Sequence, residues 1–157
     1  VMLLVSAALH LARLTRWRGY RTIAEPLVLV LHAGYAFLPL GAFAMGVEIL
    51  WPETLGTLGT AAAQHLWMAG AIGLMTLAVM TRATLGHTGQ ALSAGTVTRF
   101  IYAAMIAATF ARAAAGVWPG SAPWLHSVAG LAWIAAFSGF VLAYGSLLLR
   151  MPPAKHL

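Results

Sequence analysis

The chain has 157 residues, of which 61% are hydrophobic and 8% are charged. A soluble domain carries about 25% charged residues, so this composition excludes an ordinary water-soluble fold and indicates an integral membrane protein. The absence of cysteine excludes disulfides, thiolate metal sites and thiol catalysis. The net charge is +6, but the basic residues lie between apolar segments. That pattern is typical of membrane orientation and not of a nucleic-acid surface, so we expect no nucleic-acid partner.

Apolar segments recur along the whole chain and predict an all-α, polytopic membrane helix bundle in a single domain, residues 1–157. Four complete spans are predicted at about 26–47, 58–82, 97–117 and 123–149. A fifth apolar segment, about 1–12, is roughly half the length that a span needs. We therefore expect a partial N-terminal span, and we expect the sequence to be a fragment of a larger polytopic protein.

The charged residues separate between the two sets of loops. One set carries every basic residue except Arg112, and the other carries Glu48 and Glu53. By the positive-inside rule, the loops at 13–25 and 83–96 and the C-terminus are predicted to be cytoplasmic. Amphipathic indole rings concentrate at membrane interfaces, and three of them fall at the opposite, outer end of the predicted spans: Trp51, Trp118 and Trp124.

Arg112 lies inside the third complete span, about one and a half turns from its outer end. A charge placed in hydrocarbon costs at least ~2.5–3.5 kcal/mol, so such a residue usually faces a partner or a cavity. Two interpretations remain open. The side chain extends outward to water or lipid phosphate, or it is buried and pairs with an anionic group of a ligand.

The histidines form an outer pair and an inner group. His65 lies roughly 10 Å below the outer end of its helix, close to the depth of Arg112, and His126 belongs to the same leaflet. His10 and His32 lie in the inner leaflet, and His87 lies just outside it. Imidazole is the commonest side chain for binding haem iron or copper. No helix repeats histidine at a spacing of four, so any metal site must combine different helices.

The helix faces beside the outer pair permit two interpretations. Ala69, Ile72 and Thr76 follow His65 at helical spacing. The face that follows His126 is aromatic and consists of Gly130, Trp133, Phe137, Phe140 and Tyr144. Small residues and an aromatic wall suit a flat porphyrin, but such a stripe is more commonly an ordinary helix–helix core.

Two stretches together resemble the NnrS family. The first runs from His65 to Leu92 and includes Gly70-Ala71-Ile72-Gly73, Met80-Thr81-Arg82 and Leu85-Gly86-His87-Thr88-Gly89; the second is Leu31-His32-Ala33-Gly34-Tyr35. The resemblance covers most of the chain from Pro26 onward. One departure is Gln90, where the family pattern leads us to expect a basic residue.

The resemblance implies a bacterial inner-membrane protein that contains haem and copper and acts in nitric oxide metabolism or nitrosative stress. It also implies functional roles for four motif positions: His32, His65, Arg82 and His87. From depth and helix face we add His126, Arg112 and His10. The resulting hypothesis places haem b on His65, with His126 as a second ligand and with Arg112 and Arg82 paired to propionates. The inner histidines His10, His32 and His87 then form a second metal site for copper.

Two other interpretations remain. A metal-free transporter or permease for a small or anionic solute is supported by Pro39 inside a helix, by glycine-rich spans and by Arg112 as an anion contact. A purely structural subunit leaves Arg112 and the histidines unexplained. A carboxylate-based proton pump is disfavoured, because Glu25, Glu48 and Glu53 are the only acids and none lies at the centre of a span.

Overall fold

A computed structural model describes residues 1–52 and 59–149, which form helices and no strand. The helices are α1 (Met2–Arg16), α2 (Pro26–Leu50), α3 (Gly59–His87), α4 (Thr96–Val117) and α5 (Ala122–Leu149). Short 3-10 turns occupy Gly19–Thr22 and Pro119–Ser121. Helices α2 to α5 are long and apolar enough to cross a membrane, so the predicted all-α bundle with four complete spans is confirmed. The predicted features at Glu53, Arg150 and Lys155 lie outside the described residues.

Consecutive helices pack against each other, and the C-terminal part of α3 also contacts α5. Two pairs of aromatic ring and glycine fix α2 against α3. The Trp67 ring of α3 packs on Gly41 of α2, and the Phe37 ring of α2 packs on Gly70 of α3. Because a glycine has no Cβ, each ring reaches the backbone of the other helix.

The first and third helices continue past the basic residues that were predicted to end them. Helix α1 runs to Arg16, not to residue 12, and α3 runs to His87, not to Arg82. The predicted loops at 13–25 and 83–96 are therefore too long, and His87 belongs to the last helical turn. The physical reason is that a charged residue marks where the helix leaves the hydrocarbon. The backbone hydrogen bonds of the helix continue beyond that point into the membrane interface.

The end of α3 is a Schellman motif. The N–H of Gln90 donates to the carbonyl of Leu85 at 2.9 Å, and the N–H of Gly89 donates to the carbonyl of Gly86 at 3.3 Å. Gly89 has a φ of +69°, the left-handed conformation that glycine adopts without steric cost. The second glycine of the Gly-His-Thr-Gly stretch therefore ends the helix.

Helices α2 and α3 each contain an irregular segment, and a hydrogen bond connects the two segments. Pro39 is buried inside α2, and residues Leu66–Gly73 of α3 are wound as a π-helix. The indole N–H of Trp67, in the π segment, donates to the carbonyl of Leu38 at 2.9 Å. This bond connects the residue before the proline to the first turn of the π segment.

Helix α5 packs through a narrow stripe of buried residues, Ala129, Ala136, Phe140 and Tyr144, and exposes most of its remaining surface. Near its C-terminal end, the hydroxyls of Thr98 and Tyr144 lie 2.5 Å apart and join α4 to α5. Both side chains are buried, so each hydroxyl finds its partner within the bundle instead of in water.

Candidate functional site

A cavity of about 500 Å³ lies among α3, α4 and α5, within the range of small-molecule sites. His65 of α3, Arg112 of α4 and His126 of α5 supply its polar groups. The remaining lining residues are apolar: Met68, Ala69, Ala108, Ala129, Gly130 and Trp133. The structure thus brings together the three residues whose similar depth placed them in one leaflet.

Two partners fix the orientation of the His65 ring. Its Nδ1 lies 2.6 Å from the carbonyl oxygen of Ala61, one turn earlier in α3. Since a carbonyl only accepts, Nδ1 carries the proton, and the neutral ring has its lone pair on Nε2. Arg112 Nε donates to this Nε2 at 3.2 Å. An Nδ1–H bonded to a backbone carbonyl is the arrangement that orients many metal-binding histidines.

Arg112 also contacts the exposed imidazole of His126. Its Nη1 lies 2.5 Å from Nδ1 and 3.0 Å from Nε2 of that ring. Because Nη1 is close to both ring nitrogens at once, it lies over the imidazole and not along the in-plane lone pair of either nitrogen. One guanidinium therefore contacts both imidazoles, with a hydrogen bond to His65.

The walls of the cavity agree with the predicted helix faces in part. Ala69, Gly130 and Trp133 line the cavity, whereas Ile72 is 59% exposed elsewhere. Phe140 and Tyr144 belong instead to the helix core, because their rings stack at 5.1 Å between centroids and both are buried. The aromatic stripe of α5 is thus divided between the cavity and a helix–helix core.

The π segment begins directly after His65 and was not predicted from the sequence. It starts at Leu66, so His65 is the last residue of the preceding α-helical segment. The stretch Gly70-Ala71-Ile72-Gly73 lies within it, and its two glycines were the available signal. π-Helical turns are frequent at functional sites, since they change the direction in which side chains project.

The three predicted inner histidines do not lie together in the structure. The Nδ1 of His10 lies 2.7 Å from the Tyr35 hydroxyl, and His32 Nδ1 lies 3.1 Å from the carbonyl of Val28. The ring of Trp17 lies between these residues, with its centroid 4.6 Å from that of Tyr35 and 6.0 Å from that of His32. Sequence reasoning did not single out Trp17 or Tyr35 as the residues that connect the two histidines.

His87 lies elsewhere, in a groove of about 370 Å³ that it shares with Arg82 and Leu31. Within residues 1–52 and 59–149, no three histidine or acidic side chains form a group that fits a metal ion. The joint metal role of His10, His32 and His87 stays a prediction, as do the individual roles of the seven predicted site residues.

Comparison with known proteins gives one match. A sequence model described as NnrS protein matches residues 1–151, and so includes α1 as well as the region from Pro26 onward. No curated protein and no solved structure matched the chain. Since the match covers nearly its whole length, the chain belongs to the NnrS family.

Proposed function

We propose that this protein is a haem- and copper-binding protein of the bacterial inner membrane that acts in nitric oxide metabolism or in resistance to nitrosative stress. Family membership supports the class of function. The observation that carries the proposal for this chain is the outer cavity, which is lined by a histidine of fixed tautomer, a second histidine and an arginine.

The residues of the outer cavity fit a haem b group. His65 supplies an oriented Nε2, and His126 is a possible second ligand across the same guanidinium. Ala69, Ala108 and Gly130 leave the walls free of large side chains, and Trp133 offers a flat apolar surface. In this proposal Arg112 pairs with a propionate, as guanidinium groups do with carboxylates.

With His65 as its one protein ligand, a bound haem would leave a position on the iron for nitric oxide or a nitrosylated species, whereas a second bond to His126 would close that position. The chain's own contribution is to orient the ligand in an open pocket with mostly apolar walls. The bond from His65 to Ala61 holds the ring in place, and Met68 and the alanines around it surround the cavity with apolar atoms.

The inner residues are proposed for copper and, at Arg82, for a carboxylate contact separate from the haem at His65. His32 resembles His65, because its Nδ1 is held by a backbone carbonyl one turn earlier. The lone pair of the neutral ring is then on Nε2. His10 reaches Tyr35, and the Trp17 ring lies between Tyr35 and His32, so a copper ion held by both histidines requires these rings to move. Arg82 and His87 share a separate groove in which a carboxylate contact is proposed.

The membrane orientation is also part of the proposal. Arg13, Arg16, Arg18 and Arg21 are exposed at the C-terminal end of α1, and Arg82 and Arg99 are exposed at the same end of the bundle. By the positive-inside rule this end faces the cytoplasm.

The experiment is an absorption spectrum with metal analysis of the purified protein after expression with haem supplied. We expect a Soret band that shifts or vanishes in His65→Ala, because the variant loses the oriented Nε2. The matched control is Gln64→Ala, which changes the exposed neighbour. A spectrum unchanged in His65→Ala removes His65 as a ligand.

One observation favours a second candidate, a transporter for a small anionic solute. Among residues 1–52 and 59–149, no acidic side chain lines the cavity around Arg112, so its charge can attract an anion. A colourless, metal-free protein from haem-supplied cells supports this function and contradicts the first.

A further inference from the structure

In the outer cavity, Arg112 occupies the imidazole positions that a metal ion would need. A metal ion needs the lone pair of an imidazole, and the His65 lone pair is engaged by Arg112 Nε at 3.2 Å. Nη1 of the same guanidinium also lies against the His126 ring, close to both of its nitrogens. His65 Nε2 therefore accepts a hydrogen bond from the same cation that lies against the His126 ring.

We infer that Arg112 blocks the two imidazoles against bare metal cations, so that the outer cavity selects ligands that carry an anionic group. A bare cation that reaches His65 Nε2 meets a positive charge within hydrogen-bond distance of that nitrogen. Arg112 does not lose its charge, since a guanidinium stays protonated in proteins. The cation must therefore displace Arg112 from His65 against the repulsion between two positive charges.

A ligand with a carboxylate meets no such barrier. It offers Arg112 a stronger, charge-assisted partner in exchange for the two neutral imidazoles. His65 remains held by Ala61 during this exchange, because that bond uses the other ring nitrogen. The choice of haem as the anionic ligand rests on the proposed function, whereas the exclusion of bare cations does not.

The test is a Zn²⁺ titration of the cofactor-free protein in detergent, against a chromophoric chelator. We expect Arg112→Met, which replaces the guanidinium by a shorter, unbranched and uncharged side chain, to bind Zn²⁺ at least tenfold more tightly than the wild type. Arg112→Lys is the matched control, since it keeps the charge and should show no gain. The gain should disappear in the double variant with His65→Ala, which separates this cavity from the other histidines.

Equal Zn²⁺ affinity in the wild type and Arg112→Met, or a gain that persists without His65, overturns the inference. Gel filtration and the helical circular dichroism signal check the fold, and Arg112→Gln replaces Arg112→Met if the latter aggregates. The outcome is independent of the proposed function. A wild type that binds no haem removes that proposal, while the Zn²⁺ result still decides the role of Arg112.

Discussion

His65 has a more defined setting than any other histidine in residues 1–52 and 59–149, because each of its ring nitrogens has a different partner. Ala61 holds Nδ1 from within the same helix, and Arg112 holds Nε2 from the neighbouring one. Two bonds at opposite positions of a ring fix both its rotation and its tautomer. A ligand in this cavity therefore meets a nitrogen that is already oriented, which lowers the ordering cost of binding.

Gly70 shows how a single missing methyl group sets the distance between two helices. A Cβ at this position would lie 2.6 Å from Cδ1 of Phe37, whose ring is buried and contacts Phe110 with 5.4 Å between centroids. The ring cannot withdraw easily, so we expect Gly70→Ala to lower the free energy of unfolding by about 1–3 kcal/mol.

The measurement for Gly70→Ala is a denaturant titration in mixed detergent micelles, followed by circular dichroism. Gly145→Ala is the control, because a Cβ there lies 3.9 Å from its nearest neighbour, Val141. Equal stability of the two variants would contradict the close contact between α2 and α3.

At the scale of the residue, the sequence predicted positions along the membrane normal and not contacts. Counting 1.5 Å per residue placed His65 and Arg112 at a similar depth, and in the structure they are hydrogen-bonded. The same count placed His10, His32 and His87 near one end. In the structure His87 lines a groove that contains neither of the other two histidines. Depth follows from the helical rise, whereas proximity depends on which helices are neighbours.

At the scale of the element, the helices were predictable because each is a long apolar segment, but their ends and internal winding were not. Arg82 marked the expected end of α3, and the backbone continued for five more residues to His87. The π segment Leu66–Gly73 is equally apolar on all sides, so hydrophobic periodicity gave no signal for it. Its winding depends on tertiary contacts such as the bond from Trp67 to Leu38.

The Gly-His-Thr-Gly stretch provides a paired test of the helix end. Gly89→Ala forces a side chain into the left-handed conformation, and we expect a loss of about 1 kcal/mol in the free energy of unfolding. Gly86→Ala is the control, because Gly86 is helical and a Cβ there meets only Leu92, at 4.0 Å.

The difference between these two variants is read from their unfolding midpoints and from protease cleavage in residues 88–95. Gly89→Ala should be cleaved faster than the wild type, and Gly86→Ala should not. If both variants behave as the wild type does, the Schellman motif does not determine where α3 ends.

At the scale of the whole molecule, the helices form a series in which each packs on the next, and α3 lies between α2 and α4. The two ends of α3 consequently contribute to different places: His65 to the outer cavity, and Arg82 with His87 to the inner groove. The fold class followed from the composition, and the separation of charges between the two sets of loops followed from the order of residues. The assembly of the outer cavity from α3, α4 and α5 required the packing order.

The absence of cysteine makes the proposed orientation directly testable. We expect Ser121→Cys to react with a membrane-impermeant maleimide in intact spheroplasts, because the exposed turn at Pro119–Ser121 lies at the proposed outer end. Ser93→Cys, in the exposed loop at the other end, should react only after permeabilisation. The reverse labelling would invert the orientation.

Trp133 gives the outer cavity an optical property of its own. Its ring lies in the cavity wall and contacts Phe137 with 4.6 Å between centroids. A porphyrin absorbs light at the wavelengths where indole emits, and energy transfer over such short distances is nearly complete. Occupancy of this cavity by a porphyrin should therefore quench the emission of Trp133, whereas a colourless anion should leave it bright, so the protein carries its own fluorescent indicator of which kind of ligand it holds.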